Sequence, residues 1–166
     1  MRTIKILVAL LFMSYPFFPI SAQESDGNIK WLSFEEAVKM NKQEPKKFMV
    51  YVYSNNCGWC RKMENETFSD SVIVDYIKHH YYPVKINKNI KKKIHYDNRS
   101  FSFLPANPAN NTGGYHELIA ILLQGRLAFP SIAYMDEDMV YLGVDRGYKS
   151  VPSFLEQLKL IGNGEF

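Results

Sequence analysis

A six-residue apolar run, Phe48-Met49-Val50-Tyr51-Val52-Tyr53, is followed three residues later by Cys57-Gly58-Trp59-Cys60. An uninterrupted apolar run of that length reads as a strand buried on both faces. Arg61-Lys62-Met63-Glu64 then reads as a helix. The two cysteines, the only ones in the chain, fall at the junction of a strand end and a helix start. There the first backbone N–H groups lack intrahelical partners and the helix dipole favours negative charge. Cys57, nearer the helix start and nearer solvent, is the expected nucleophile, and Cys60, one turn further in, the resolving thiol. Lowering a cysteine pKa from about 8.5 to about 7 takes roughly 2 kcal/mol. The dipole typically supplies about 0.3–1 kcal/mol, so hydrogen bonds from N–H groups or from the Cys60 thiol must supply the rest.

Three other uses of the pair compete. A structural disulfide across two residues closes a very small loop and removes little chain entropy. A zinc site needs about four ligands. There is no second cysteine pair, and His79, His80, His95 and His116 show no ligand-like spacing. Haem attachment requires histidine after the second cysteine, and position 61 is Arg. No metal or other cofactor is expected.

Residues 1–22 read as a signal peptide. Arg2 and Lys5 precede an apolar core, Ile6 to Met13, and Ser21-Ala22-Gln23 offers cleavage after Ala22. The apolar segment is short for a membrane span, and Pro16 and Pro19 interrupt its end. Of the 20 basic and 17 acidic residues, cleavage removes Arg2 and Lys5 and no acid, leaving 18 and 17, a net charge of +1. That balance gives no footprint for nucleic acid. The remaining residues 23–166 suit one domain with its own core. Export permits disulfides, and an exported chain with one cysteine pair points to redox use of it.

Ile29-Lys30-Trp31 is expected as a short first strand. Ser33 and Glu36 form a capping box with Leu32 and Ala37 as its staple, predicting a helix from Phe34 to Lys42 that buries Phe34, Ala37 and Val38. Pro45 prevents its continuation. Ser69 or Asp70 caps a further helix, with Val72, Ile73, Tyr76 and Ile77 on one face. Tyr81 to Ile86 reads as a strand, at or near an edge because Pro83 cannot donate to a ladder. Residues 87–113 hold lysines 88, 91, 92 and 93, six asparagines, and no clear periodicity, which marks a segment that is functional or disordered. Its basic cluster reads as a solvated face. Tyr115, Leu118, Ile119 and Leu122 make a helical stripe with Gly125 as its C-cap. Phe129-Pro130-Ser131 leads into a strand, Ile132 to Met135, which returns after Asp136-Glu137-Asp138 as Met139 to Val144. Pro152 opens a terminal helix ended by Gly162.

The order strand, Cys-x-x-Cys on a helix, strand, helix, Pro-led strand, hairpin strand and helix resembles the thioredoxin superfamily over residues 29–161. Trp31-Leu32-Ser33-Phe34-Glu35-Glu36-Ala37, Cys57-Gly58-Trp59-Cys60 and Gly147-Tyr148 are similar to a secreted thioredoxin-like subgroup. The resemblance implies an α/β thioredoxin-like fold. A central mixed sheet of four to five strands is flanked by helices, and an insertion with an extra helix (87–124) precedes the cis-proline strand. It implies that Pro130 is the cis-proline facing the cysteines and that the backbone of Phe129 pairs with a bound peptide. Gly58 and Trp59 complete the substrate-binding set, Trp59 as a shield and a flat apolar contact. Two departures stand out. Many thioredoxins carry a buried acid six residues before the first cysteine, where this chain has Tyr51; Glu64 either substitutes for it or is a surface residue. Position 59 is Trp where ordinary thioredoxin has Pro.

The expected function is a periplasmic protein thiol–disulfide oxidoreductase, with reduction favoured over oxidation. Protein or peptide disulfides and thiols are its substrates, and a membrane electron donor is its source of reductant. Reduction of a haem-binding cysteine pair during cytochrome c maturation is a special case that no residue selects. The alternative is a thioredoxin-fold binding module whose cysteine pair is non-catalytic. The chain is expected to be a monomer without stable membrane insertion after signal removal.

Overall fold

The computed structural model describes residues 27–110 and 113–165. The expected signal peptide and its cleavage point lie outside the described residues. Chain order begins with α1 (Phe34–Asn41), β1 (Lys47–Tyr53), α2 (Gly58–Glu66), α3 (Ser71–His80) and β2 (Tyr81–Asn87). Four short strands follow: β3 (Ile94–Tyr96), β4 (Arg99–Phe101), β5 (Phe103–Leu104) and β6 (Tyr115–His116). The chain then forms α4 (Glu117–Leu122), β7 (Ser131–Met135), β8 (Tyr141–Arg146) and α5 (Val151–Asn163).

The central sheet has the order β2-β1-β7-β8. β1 runs parallel to β2 and antiparallel to β7, which is antiparallel to β8. Val50 aligns with Val84 on one side and Ala133 on the other, so the apolar run becomes an interior strand. β2 lies at the edge that Pro83 requires. The strand expected at 29–31 shrinks to a single bridge from Leu32: its N–H donates to Pro83 O (2.9 Å) and its carbonyl accepts from Lys85 N–H (3.2 Å). The capping box explains the brevity. Ser33 Oγ accepts from Glu36 N–H (3.3 Å) while Glu36 Oε2 accepts from Ser33 N–H (2.8 Å), so the helix begins at once.

Several boundaries differ from the sequence reading, each for a local reason. On α3 the buried residues are Ile73, Val74 and Ile77, and Val72 is exposed, because Asp70 caps the helix and sets its rotation. Residues 87–113 carry structure: β3 and β4 form a hairpin whose loop residues, Asp97 and Asn98, both have positive φ (49° and 58°), the primed turn that matches strand twist. Tyr115 is taken by β6, which pairs with β5, so α4 starts only at Glu117. Its C-terminus is a Schellman motif in which Gln124 already takes the left-handed conformation (φ 53°) and the expected Gly125 follows it, also at positive φ (75°). Gly125 N–H reaches Ala120 O (2.8 Å) and Gln124 N–H reaches Ile121 O (3.0 Å). β8 begins at Tyr141 rather than Met139, since Asp136 Oδ1 holds the turn by accepting from Asp138 and Val140 N–H. α5 runs through Gly162 to Asn163 and is capped by Gly164 at φ 77°.

Two cores result. Phe48, Val50, Val52, Val84, Ile86 and Ala133 pack against α1, β3–β4 and α4. Met49, Tyr51, Tyr81, Ile132 and Tyr134 pack against α2, α3 and α5. Among the described residues, no helix is long and apolar enough to cross a membrane.

Candidate redox site

Cys57 is the N-cap residue of α2, in extended backbone, and Cys60 lies in the first helical turn. They are joined as a disulfide with Cα atoms 5.2 Å apart. Cys57 Sγ accepts a hydrogen bond from Cys60 N–H at 3.0 Å. This donor adds to the dipole, and no acidic residue sits in the first turn of α2 to oppose it. Cys57 is half-buried and Cys60 only 1% exposed, the asymmetry expected of an attacking and a resolving thiol. A sequence turn, Cys57 N–H to Ser54 O (3.1 Å), carries the chain from β1 into the helix.

Phe129 packs on the cluster that also takes Cys57, Trp31, Tyr53 and Tyr148. The Phe129–Pro130 peptide bond is cis. Pro130 is buried, and its carbonyl accepts from Gly147 N–H (2.8 Å), while Ser131 Oγ donates to Ala128 O (2.8 Å). Gly147 has φ 83°, a conformation that favours glycine, and so lets the β8–α5 connection close on the proline. The far end of α2 is fastened to the same connection through Thr67 Oγ1, which donates to Lys149 O (2.6 Å).

Trp59 is 59% exposed and leans on Tyr148, ring centroids 5.7 Å apart. The Lys62 ammonium lies over both rings, at 5.5 Å and 5.0 Å. Tyr148 in turn donates to Glu66 Oε2 (2.8 Å). Trp59 is therefore part of an exposed aromatic wall beside the cysteines. A side chain at Gly58 would meet nothing within 4 Å, so packing imposes no demand for glycine there.

Beneath Cys60, the fully buried Tyr51 hydroxyl donates to Cys60 O (3.4 Å) and to Glu64 Oε1 (3.2 Å). Burial, reinforced by the neighbouring Glu64 charge, pushes the Tyr51 hydroxyl far above its ordinary pKa, so it serves as a neutral donor. Glu64 is no free surface residue. Its Oε1 is 3.2 Å from Lys85 Nζ, and that ammonium sits over the rings of Tyr53 (4.7 Å), Trp31 (5.8 Å) and Tyr51 (5.9 Å). Lys85 and Tyr148 were missed as site residues in the sequence reading. Lys85 had a signal: it alternates with Tyr81 and Pro83 along β2, so a lysine on an inward face requires a carboxylate. Among the described residues, no group of three or more His, Cys, Asp or Glu side chains could hold a metal ion.

A family model described as "Thioredox_DsbH: Protein of unknown function, DUF255" matches residues 16–142. An uncharacterized protein of Archaeoglobus fulgidus is 24% identical over 87 residues, 52% of this chain and 68% of that protein. A solved structure of a DsbH oxidoreductase superposes with a TM-score of 0.58 at 17% identity, over 82% of this chain and 85% of that one. A thioredoxin from Thermus thermophilus gives 0.59 at 14% identity, over 83% and 90%. These likenesses establish the thioredoxin fold.

Proposed function

The chain belongs to the Thioredox_DsbH family, and from that premise we propose that it is an exported, periplasmic thiol–disulfide oxidoreductase acting on proteins through Cys57 and Cys60. The observation that carries the reading is the placement of the pair: Cys57 at the helix cap, half-buried, with its sulfur accepting an N–H, and Cys60 sealed beneath it. In the reductive direction the reduced Cys57 thiolate attacks one sulfur of a substrate disulfide. The other substrate sulfur leaves as a thiolate and takes a proton. Cys60 then loses its proton, attacks Cys57 Sγ in the mixed disulfide, and releases the second substrate thiol. Two electrons pass to the substrate and the pair returns to the disulfide. An external dithiol, supplied from a membrane electron donor, restores it.

In this reading Glu64, one helical turn after Cys60 and linked to its carbonyl through the Tyr51 hydroxyl, takes the Cys60 proton. Tyr51 and Lys85 hold it in position, so the acid that the resemblance implies at residue 51 is carried one helical turn after Cys60. Trp59 and Tyr148 supply a flat apolar contact for a peptide, and the backbone of Phe129 at the cis bond offers it a strand edge. Export is supported by the basic and apolar pattern of residues 1–22 and by the single cysteine pair.

The test is turnover of insulin disulfides by the chain lacking residues 1–22. Cys57→Ser should reduce the rate at least about a hundredfold, since the attacking thiolate is gone. Cys60→Ser should instead accumulate a covalent mixed disulfide through Cys57. Undiminished turnover in Cys57→Ser would overturn the proposal and favour a binding module with an idle cysteine pair.

A further inference from the structure

The basic cluster at 88–93 divides in the folded chain. Lys92 is drawn away to Glu35, 3.6 Å distant. Lys88 turns the other way: its N–H donates to Tyr53 O (2.8 Å), extending β2 alongside the end of β1, and its ammonium lies 5.7 Å from the centre of the Phe129 ring. A second cation joins it through a fixed bridge. Asn87 Nδ2 donates to Asn55 Oδ1 (2.7 Å), and Asn55 O accepts from Arg61 Nη1 (3.1 Å). Arg61 and Lys88 thus belong to one hydrogen-bonded rim around the loop that presents Cys57. Neither is ion-paired among the described residues, whereas the two carboxylates of α2 are already engaged, Glu64 by Lys85 and Glu66 by Lys62 (3.9 Å) and Tyr148. The rim therefore carries uncompensated positive charge at the mouth of the site.

We propose that Arg61 and Lys88 form a cationic rim that selects thiol and disulfide substrates bearing an acidic side chain within about two residues of the reacting cysteine. The inference rests on the oxidoreductase reading and deepens it. A peptide laid along Phe129 in extended form advances about 3.3 Å per residue, so a neighbour of its cysteine passes over the residue that Lys88 covers. Exposed ion pairs are individually weak, about 0.2–1 kcal/mol, or up to about fivefold each. Their action is sensitive to salt, since the screening length falls from about 10 Å at 0.1 M to about 3 Å at 1 M.

The experiment uses the chain lacking residues 1–22 and three synthetic peptide disulfides identical except for Asp, Asn or Lys beside the cysteine, with kcat/KM measured at low and high salt. The expected Asp-to-Asn preference is about five- to tenfold at low salt and close to one at 1 M. Lys88→Gln should roughly halve it, Arg61→Gln combined with Lys88→Gln should abolish it, and Lys88→Glu should shift preference towards the Lys peptide. Equal rates for the three peptides in the unsubstituted chain, or a preference that survives in the double variant, would overturn the rim. A chain that turns over none of the three peptides would overturn the oxidoreductase reading as well. Turnover without discrimination condemns the rim alone.

Discussion

β1 sends Phe48, Val50 and Val52 to one side of the sheet and Met49 and Tyr51 to the other. The first side is filled mainly by hydrocarbon from α1, β3–β4 and α4. Its tyrosines sit towards the margins, and Tyr82 hands its hydroxyl to Glu44 O (2.6 Å). The second side, under the cysteine-bearing helix, is built on tyrosines placed centrally. Tyr51 donates to Glu64 and Cys60 O, Tyr81 to Leu158 O (2.6 Å), and Tyr134 to Asp145 Oδ2 (3.2 Å). An unpaired buried hydroxyl is costly, and each of these three has a partner, so each fixes an element as well as filling space. The hydrocarbon side holds the sheet together by burial, and the tyrosine side specifies where α2 and α5 sit.

The comparison predicts different costs for substitutions two or three residues apart. Phe48→Ala removes a fully buried ring from the hydrocarbon side and should destabilise the oxidised protein by about 3–5 kcal/mol in urea unfolding. Tyr51→Phe keeps the ring and loses one hydroxyl. Glu64 retains Lys85, so the cost should be nearer 1 kcal/mol. Turnover should separate the two further: on the proposed mechanism Tyr51→Phe should slow release of the mixed disulfide, because Glu64 loses a donor that orients it, while its fold stays intact. A Tyr51→Phe cost matching that of Phe48→Ala would break the distinction between burial and placement.

The hydrocarbon side was largely legible in the sequence. A continuous apolar strand, a capping box and a helical stripe carry their own periodicity, and Pro83 announced an edge. The cysteine pair was legible for the same reason, since its strand and helix are adjacent in the chain. What escaped was non-local. Tyr51, Glu64 and Lys85 come together from β1, α2 and β2, and Lys88 meets Phe129 across about forty residues; no local pattern encodes such meetings. The β3–β4 hairpin escaped because each strand has three residues, too few for an alternation to register, although Asp97-Asn98 is turn chemistry of the primed kind. Tyr115 and Leu118 shared a helical spacing by coincidence, and the pairing of β5 with β6 won.

The buried tyrosines and His116 should fail at opposite ends of the pH scale. Burial raises the pKa of Tyr51, Tyr81 and Tyr134 above the ordinary value of about 10. Each therefore contributes stability that is complete below about pH 10 and is lost as pH rises beyond it. On the hydrocarbon side, His116 is fully buried as the N-cap of α4. Nδ1 accepts from Leu118 N–H (3.3 Å), which leaves Nε2 to donate to Lys92 O (3.2 Å). Only the neutral ring serves both. Burial lowers its pKa below 6.5, against the opposing pull of the Lys92 carbonyl, Glu117 and Glu35. Its contribution is complete above about pH 6.5 and is lost as pH falls towards and through the lowered folded value. Melting temperature measured against pH should decline on both limbs. His116→Asn keeps a capping residue but cannot titrate, and should flatten the acid limb between about pH 6.5 and 5 while leaving the alkaline limb unchanged. An acid limb of the same depth in that variant would show that His116 does not set it.

The smallest effect concerns how rigid the tyrosine side is at its periphery. Gly162 lies inside α5, and a Cβ built there would stand 2.9 Å from Tyr76 Oη on α3. Alanine in a helix interior gains about 0.5–1 kcal/mol over glycine. Against this, Tyr76 must withdraw by a few tenths of an ångström. Its hydroxyl is the far end of a partly exposed side chain whose ring stacks on His80 at 4.3 Å, so it can yield without moving either helix. Gly162→Ala should therefore leave stability within about 0.5 kcal/mol of the original chain, the gain in helix propensity offset by the displaced hydroxyl. A loss above about 1.5 kcal/mol in urea unfolding would mean that α3 and α5 are held as firmly at this edge as they are at Tyr81. The requirement for exact placement would then extend across the whole tyrosine side rather than being concentrated under the cysteines.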